Sequence, residues 1–339
     1  MKYTVKILSP IIFLCTYTFA EKNIQDLIDS GAIKSCIVNN STLQLACKGL
    51  ESLKGIENIK NGSEIKIIDL SNNQISKLGK YSFKHFPQLT QLWLNNNKLE
   101  DISDLSNCAG LENLQVLDFR SNKIKYISKH AFKNLKKLEI LFLNNNYLVS
   151  LASGSFDALA NIREIHLSHN RLATFNLEQF SKLSMLYILN LGFNKITLIK
   201  PARNGLLNNL EILFLNNNNL MLLRADAFVA CPNLQALYMQ DNVLMVLQDT
   251  SFAGLYNLRL LYLYNNALDK ISSHIFKDLQ NLHLLYLNNN NIQILEKDWS
   301  RGLESLQILD LSYNKLTNMR IQDIEHGYLK NLKHCYLYN

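Results

Sequence analysis

A 24-residue period runs through most of this chain and leaves little freedom in what it can fold into. Residues 210–223 read LEILFLNNNNLMLL, 234–247 read LQALYMQDNVLMVL, 258–271 read LRLLYLYNNALDKI and 282–295 read LHLLYLNNNNIQIL. The same frame begins at Ile65, Leu89, Leu114, Leu138, Ile162, Leu186, Leu306 and Leu332. Only two spacings differ from 24: 25 between Leu89 and Leu114, and 26 between Leu306 and Leu332. One unit of this length cannot bury its own apolar face, so neighbouring units must stack to do it.

Each position of the unit has a physical role. Positions four and six, Leu141 and Leu143 in the unit from Leu138, fall on the same side of a short strand and point inward. Position nine is asparagine in all eleven complete units, from Asn73 to Asn314. An interior amide must have its hydrogen bonds met, so this column is expected to bond the turning backbone of adjacent coils. Eighteen residues into most units stands a phenylalanine (Phe83, Phe132, Phe156, Phe180, Phe228, Phe252 and Phe276), expected to stack where the chain returns. Asn107, Asn204, Ser300 and Ile324 take its place in four units, which are expected to be looser.

The pattern L-x-x-L-x-L-x-x-N-x-L resembles the leucine-rich-repeat family, over residues 65–339. The resemblance implies an α/β solenoid, a horseshoe with a parallel β-sheet on the concave face. Its convex side should be irregular, 3-10 or short helical structure. It divides the chain into a signal segment (1–20), an N-terminal cap with a degenerate first coil (21–64), and repeats (65–339) with a truncated twelfth unit. Such a cap often carries four cysteines. This one holds Cys36 and Cys47, and the resemblance implies a disulfide between them. Cys108, Cys231 and Cys335 lie in well-separated coils and read as small buried side chains. The unit from Leu332 stops before its position-nine asparagine, which suggests a fragment or a truncated end.

The first twenty residues read as a secretory signal: Lys2 and Lys6, an apolar run from Ile11 to Phe19, then a small-residue pair, Thr18 and Ala20. The chain is therefore expected to be secreted or on the extracellular side of the plasma membrane, held to a membrane only if a missing C-terminal tail anchors it. Sequons at Asn39, Asn40 and Asn61 fall in the cap and are candidate glycosylation sites; the repeats contain none. With 47% apolar and 19% charged residues the chain can bury a sizeable core, so a disordered chain is not expected.

Positions three and five of each strand face away from the core. Position five reads Trp93, Phe142, His166, Phe214, Tyr238, Tyr262 and Tyr286 in seven units, with Tyr264 beside them at position seven. Position three is mostly Ile, Leu or Val. A contiguous exposed apolar patch usually marks an interaction site, and tyrosine and tryptophan are common hot-spot residues. These eight residues are the candidate protein-binding surface, densest from Phe214 to Tyr286. Ladders of like side chains that merely stabilise the sheet are the competing explanation.

The net charge of +7 is mild, and acidic and basic residues mix on the strand face, so a nucleic-acid groove is not expected. Lys123, Lys125, Lys129, Lys133, Lys136 and Lys137 form the tightest basic cluster, on the convex side, a secondary candidate for a sulfated glycan. Glu164, His166 and His169 are the best metal-like group, but a fourth ligand is missing. No nucleophile-elbow, phosphate-loop, zincin or kinase motif occurs, and neither an enzyme nor a cofactor is expected. The resemblance is closest to extracellular repeats of Toll-type, slit-like and chaoptin-like proteins. It implies an extracellular protein ligand and, as a further mode, a homodimer; a secreted scaffold or carrier subunit that stabilises a soluble complex is the alternative.

Overall fold

The computed structural model describes residues 23–38, 41–202, 207–317 and 327–338. Twelve coils each contribute three residues, at positions three to five, to one fourteen-stranded sheet. Every pairing between these coils is parallel and links like positions: Leu141 faces Ile165, Leu237 faces Leu261, and Leu309 faces Cys335. The architecture is thus a parallel-sheet solenoid with its apolar core inside the coil.

The turn out of each strand explains the asparagine-rich sequence. Position eight has a left-handed backbone in every complete unit, with φ between 52° and 56°. Six of the eleven are asparagine (Asn72, Asn96, Asn145, Asn217, Asn265 and Asn289), which tolerates this region best after glycine. Position nine then turns inward. Asn194 Oδ1 accepts from the Leu172 amide one coil back at 3.0 Å. Its Nδ2 donates to the carbonyls of Leu167, Leu191 and Gly192 at 3.0, 3.0 and 3.2 Å. The same bonds recur from Asn73 to Asn314.

A second asparagine column was not foreseen. The residue before position one is asparagine in seven units. Asn161, Asn209, Asn233, Asn257 and Asn281 donate to the backbone carbonyls of Lys136, Ser184, Asn208, Pro232 and Tyr256. Unlike the position-nine amides, these five are exposed.

On the return side, Phe156 stacks between Phe132 and Phe180, with ring centroids 5.9 and 5.5 Å away. The unit from Leu282 is not loosened by Ser300: Trp299, one residue earlier, packs edge-on against Phe276 at 6.5 Å and fills the space. Asn204 and Ile324 lie outside the described residues. Gly110 and Gly302, each four residues before a strand unit, have φ of +89° and +93°. A Cβ there would collide with the carbonyl oxygens of Phe83 and Phe276, so these coils close only with glycine.

At the N-terminal end, α1 (Ile24–Asp29) carries a capping box between Asn23 and Asp26 and buries Ile24 and Leu27. It is the one α-helix among the described residues. A short strand β1 (Ile37–Val38) pairs antiparallel with β2 (Thr42–Gln44). Strand β2 in turn pairs parallel with β3 (Ile67–Asp69), so it already sits in the solenoid's register. Cys47 falls at the left-handed turn of that coil, with φ of 57°.

That placement overturns the expected Cys36–Cys47 disulfide. Ile37 faces Leu43 and Val38 faces Thr42, which puts Cys36 opposite Gln44, three residues short of Cys47. Residues 46–47 turn away from the strand, and no disulfide joins the two cysteines. Cys36 is turned inward, its Sγ 3.7 Å from the Ala32 carbonyl, and Cys47 carries a free, exposed thiol. Burial pushes the Cys108 and Cys231 thiols up to about 12, with Asp104 adding to the effect on Cys108. A thiol reagent at pH 8 is therefore expected to modify Cys47 in the native protein and to reach Cys108 and Cys231 only on unfolding. Modification of all three at one rate, followed by mass spectrometry, is the contrary result.

The expected signal segment and the sequons at Asn39 and Asn40 fall outside the described residues. Asn61 is exposed, in a left-handed turn that precedes a 3-10 turn (Gly62–Glu64). No helix among the described residues is long and apolar enough to cross a membrane.

Candidate functional site

The sheet face that looks away from the core divides into two unlike halves. Toward the N-terminus its apolar side chains pack on one another. Ile67, Trp93, Val116, Ile140 and Phe142 form a small apolar cluster separate from the main core. Trp93 is only 3% exposed, so the expectation that it stands open to a partner is wrong. Asp69 and Asp118 flank it on the neighbouring strands, and Ile67, Val116 and Ile140 share its cluster.

Beside Trp93 lies Asp118, 0% exposed. The Arg120 guanidinium grips it through Nε at 2.9–3.1 Å and Nη2 at 2.6 Å. The same guanidinium lies over the Phe142 ring, 4.8 Å from its centroid. Phe142 stacks on His166 at 4.9 Å, and His166 Nε2 meets Glu164 Oε2 at 3.1 Å. His169 instead stacks on Phe193 at 4.2 Å. The three residues therefore do not converge, and no group of three or more His, Cys, Asp or Glu suited to a metal occurs among the described residues.

The C-terminal half is an open ladder. Phe214, Tyr238, Tyr262 and Tyr286 occupy position five of four consecutive coils and pair in register. Phe214 and Tyr238 stack at 4.5 Å with planes 13° apart, and Tyr238 and Tyr262 at 4.7 Å and 11°. Tyr286 follows at 5.3 Å, tilted by 35°. Tyr264 stands edge-on to Tyr262 and Tyr286, at 6.4 and 6.5 Å. All five rings are half-buried. Their faces are spent on one another, so the row offers solvent its edges and phenol ends. Burial raises the Tyr262 phenol above its ordinary range, and the neighbouring Tyr238, Tyr286 and Tyr264 add to that. Burial, then Asp241, does the same for Tyr264. The Tyr262 and Tyr264 hydroxyls thus stay protonated well above neutral pH, as donors as well as acceptors.

Along one side of the ladder runs an aliphatic strip, Ile212, Ala236, Leu260, Leu284 and Ile308 at position three. Along the other lie the amides Asn216, Gln240 and Asn288. The face has the make-up of a recognition surface: aromatic edges, apolar floor, polar border. A cleft of about 810 Å³ lies elsewhere, on the descending side between Leu198–Lys200 and Arg224. The six lysines of the basic cluster are all exposed; Lys125 is bonded to Glu100 at 2.8 Å and Lys137 to Asn113 at 2.7 Å.

Comparison with known proteins follows the same lines. A family model described as leucine rich repeat matches residues 104–148, 136–196, 186–244, 240–291 and 257–316, and a two-copy version matches 63–107. This chain belongs to the leucine-rich-repeat family. A zebrafish (Danio rerio) protein, all-trans retinoic acid-induced differentiation factor, is 43% identical over 73 residues, 20% of this chain and 32% of that protein. Among solved structures, a Drosophila Toll–Spatzle complex aligns with a TM-score of 0.73 at 25% identity, over 82% of this leucine-rich-repeat chain and 38% of the matched chain. An octameric complex of Latrophilin 3, Unc5D and the FLRT2 repeats aligns with a TM-score of 0.67 at 24% identity, over 82% of each chain. The chain thus spans about a third of the curated relative and of the Toll-complex chain.

Proposed function

We propose that this leucine-rich-repeat chain is an extracellular recognition protein that binds a protein ligand, without catalysis, on the C-terminal half of its concave sheet. One observation carries the reading: a row of four aromatic rings and Tyr264 lines an open strip of sheet beside half-buried aliphatic side chains. The solenoid does not need them there, since the corresponding coils at His166 and Asn190 fold in the same register without such a ladder. The solved Toll and FLRT2 complexes, which contain protein partners, support this choice of function class. The signal-like first twenty residues support the extracellular setting.

The test uses the secreted chain against an array of cell-surface and secreted proteins, with Tyr238→Ala, Tyr262→Ala and Tyr262→Phe in parallel. Each alanine variant is expected to weaken the ligand by ~10-fold or more, as hot-spot truncation does. Stability should fall by about 1–3 kcal/mol, since Tyr238 loses two ring contacts and Tyr262 three. Tyr262→Phe keeps the stack and isolates the phenol's share. A ligand held equally by wild type and both alanine variants would move the binding surface elsewhere.

A further inference from the structure

The closed half of the sheet shows what the open half lacks. At position five, Asp118 stands between Trp93 and Phe142 on the neighbouring strands. That aromatic–carboxylate–aromatic slot is filled by the chain's own Arg120, two residues on, bonded to Asp118 and laid over Phe142. The same arrangement recurs once more along position five: Asp310 stands between Tyr286 and Tyr336. There the residue two on is Ser312, too short to fill the slot. Its amide and hydroxyl both bond Asp310 Oδ1, at 2.9 and 2.6 Å. Among the described residues no hydrogen bond reaches Oδ2. Asp310 is half-buried where Asp118 is sealed, and Tyr336 is 38% exposed. The nearest lysine in the last coil, Lys333, is turned to Gln307 at 3.2 Å, and His334 stacks against Tyr336 at 6.5 Å.

We propose that the Tyr286–Asp310–Tyr336 slot receives an arginine side chain of the protein ligand, in the way that Arg120 fills its counterpart. The charge complementarity is that of the internal pair. The dimensions agree as well: strands about 4.8 Å apart place both rings roughly 5 Å from a guanidinium seated over Asp310, inside the ~6 Å reach of a cation–π contact. A planar fork also matches a carboxylate flanked by ring faces better than a round ammonium does. The slot continues the tyrosine ladder at Tyr286, so a ligand lying along the ladder would anchor its end here. This assignment rests on the concave-face reading, but its test needs no ligand protein.

The probe is ethylguanidinium, titrated into the chain carrying 3-fluorotyrosine and followed by fluorine NMR, with resonances assigned by Tyr286→Phe and Tyr336→Phe. The Tyr286 and Tyr336 signals are expected to shift and saturate, and the Tyr238 signal to stay put. Asp310→Asn should weaken the probe about tenfold, as loss of a charged hydrogen-bond partner does. It leaves the turn intact, since Asn190 makes the equivalent bond to the Gly192 amide at 3.1 Å. Ser312→Arg should abolish probe binding by filling the slot from within. No saturable shift in the wild type, equal binding by Asp310→Asn, or ethylammonium binding as well as ethylguanidinium would each overturn the assignment. The array with Tyr238→Ala decides the concave-face reading separately.

Discussion

Replacing Asn194 by alanine lowers the unfolding free energy by about 3–5 kcal/mol, read as a fall in the urea midpoint at unchanged slope. The amide serves four backbone groups at once: the Leu172 N–H and the carbonyls of Leu167, Leu191 and Gly192. Alanine leaves the Leu172 N–H without a partner in a buried site, at about 1–3 kcal/mol, and takes one of two donors from each carbonyl at about 0.5–1 kcal/mol apiece, since Asn170, Asn218 and the His169 N–H still reach Leu167, Leu191 and Gly192. Asn209→Ala is the control. Asn209 also bonds a carbonyl of the previous coil, that of Ser184, but it is exposed. Water can replace that bond, so its loss is expected to cost ~0.5 kcal/mol. The comparison separates burial from bonding, because both residues are asparagines reaching across one coil. Equal losses at the two positions would mean that the interior column is not what holds the turns.

Much of this was legible before any coordinates, and the reason is the stacking itself. A strict 24-residue frame makes each position of the unit a column of the structure. Knowing that position nine is asparagine in every complete unit was therefore enough to place those amides inside. The same frame put Tyr238, Tyr262 and Tyr286 on the strand face away from the core, where they stand half-buried. What the unit pattern could not say is how members of one column meet their neighbours. Trp93 and Tyr262 share position five, yet Trp93 is sealed by Ile67, Val116 and Ile140. Asp118 and Asp310 also share it, but Arg120 covers one carboxylate, whereas only Ser312 bonds the other. Those pairs were present in the sequence, but only a reading down the columns, coil against coil, would have found them. The Cys36–Cys47 expectation failed for a related reason. It came from the resemblance, whereas the register of β2 against β3 assigns Cys47 to a turn and leaves Cys36 on the other side of the hairpin.

The phenylalanine column gives the other large effect, and it tests whether the coils are coupled only to their neighbours. Phe156→Ala is expected to cost about 3–5 kcal/mol, the range for truncating a buried phenylalanine. The ring is fully buried and stacks on both sides, against Phe132 and Phe180. In a linear stack, stability is a sum of coil terms and nearest-neighbour terms, so proximity decides additivity. Combining Phe156→Ala with Phe132→Ala should cost less than the two single losses together, by about 0.5–1.5 kcal/mol, because both remove the same stack. Combining it with Phe276→Ala, five coils away, should add within about 0.5 kcal/mol. That ring leans on Phe252 and Trp299 and shares no stacking partner with Phe156. Coupling of the distant pair as strong as that of the adjacent one would mean that a lost ring is felt along the whole solenoid, and the coil-by-coil account of its core would have to be given up.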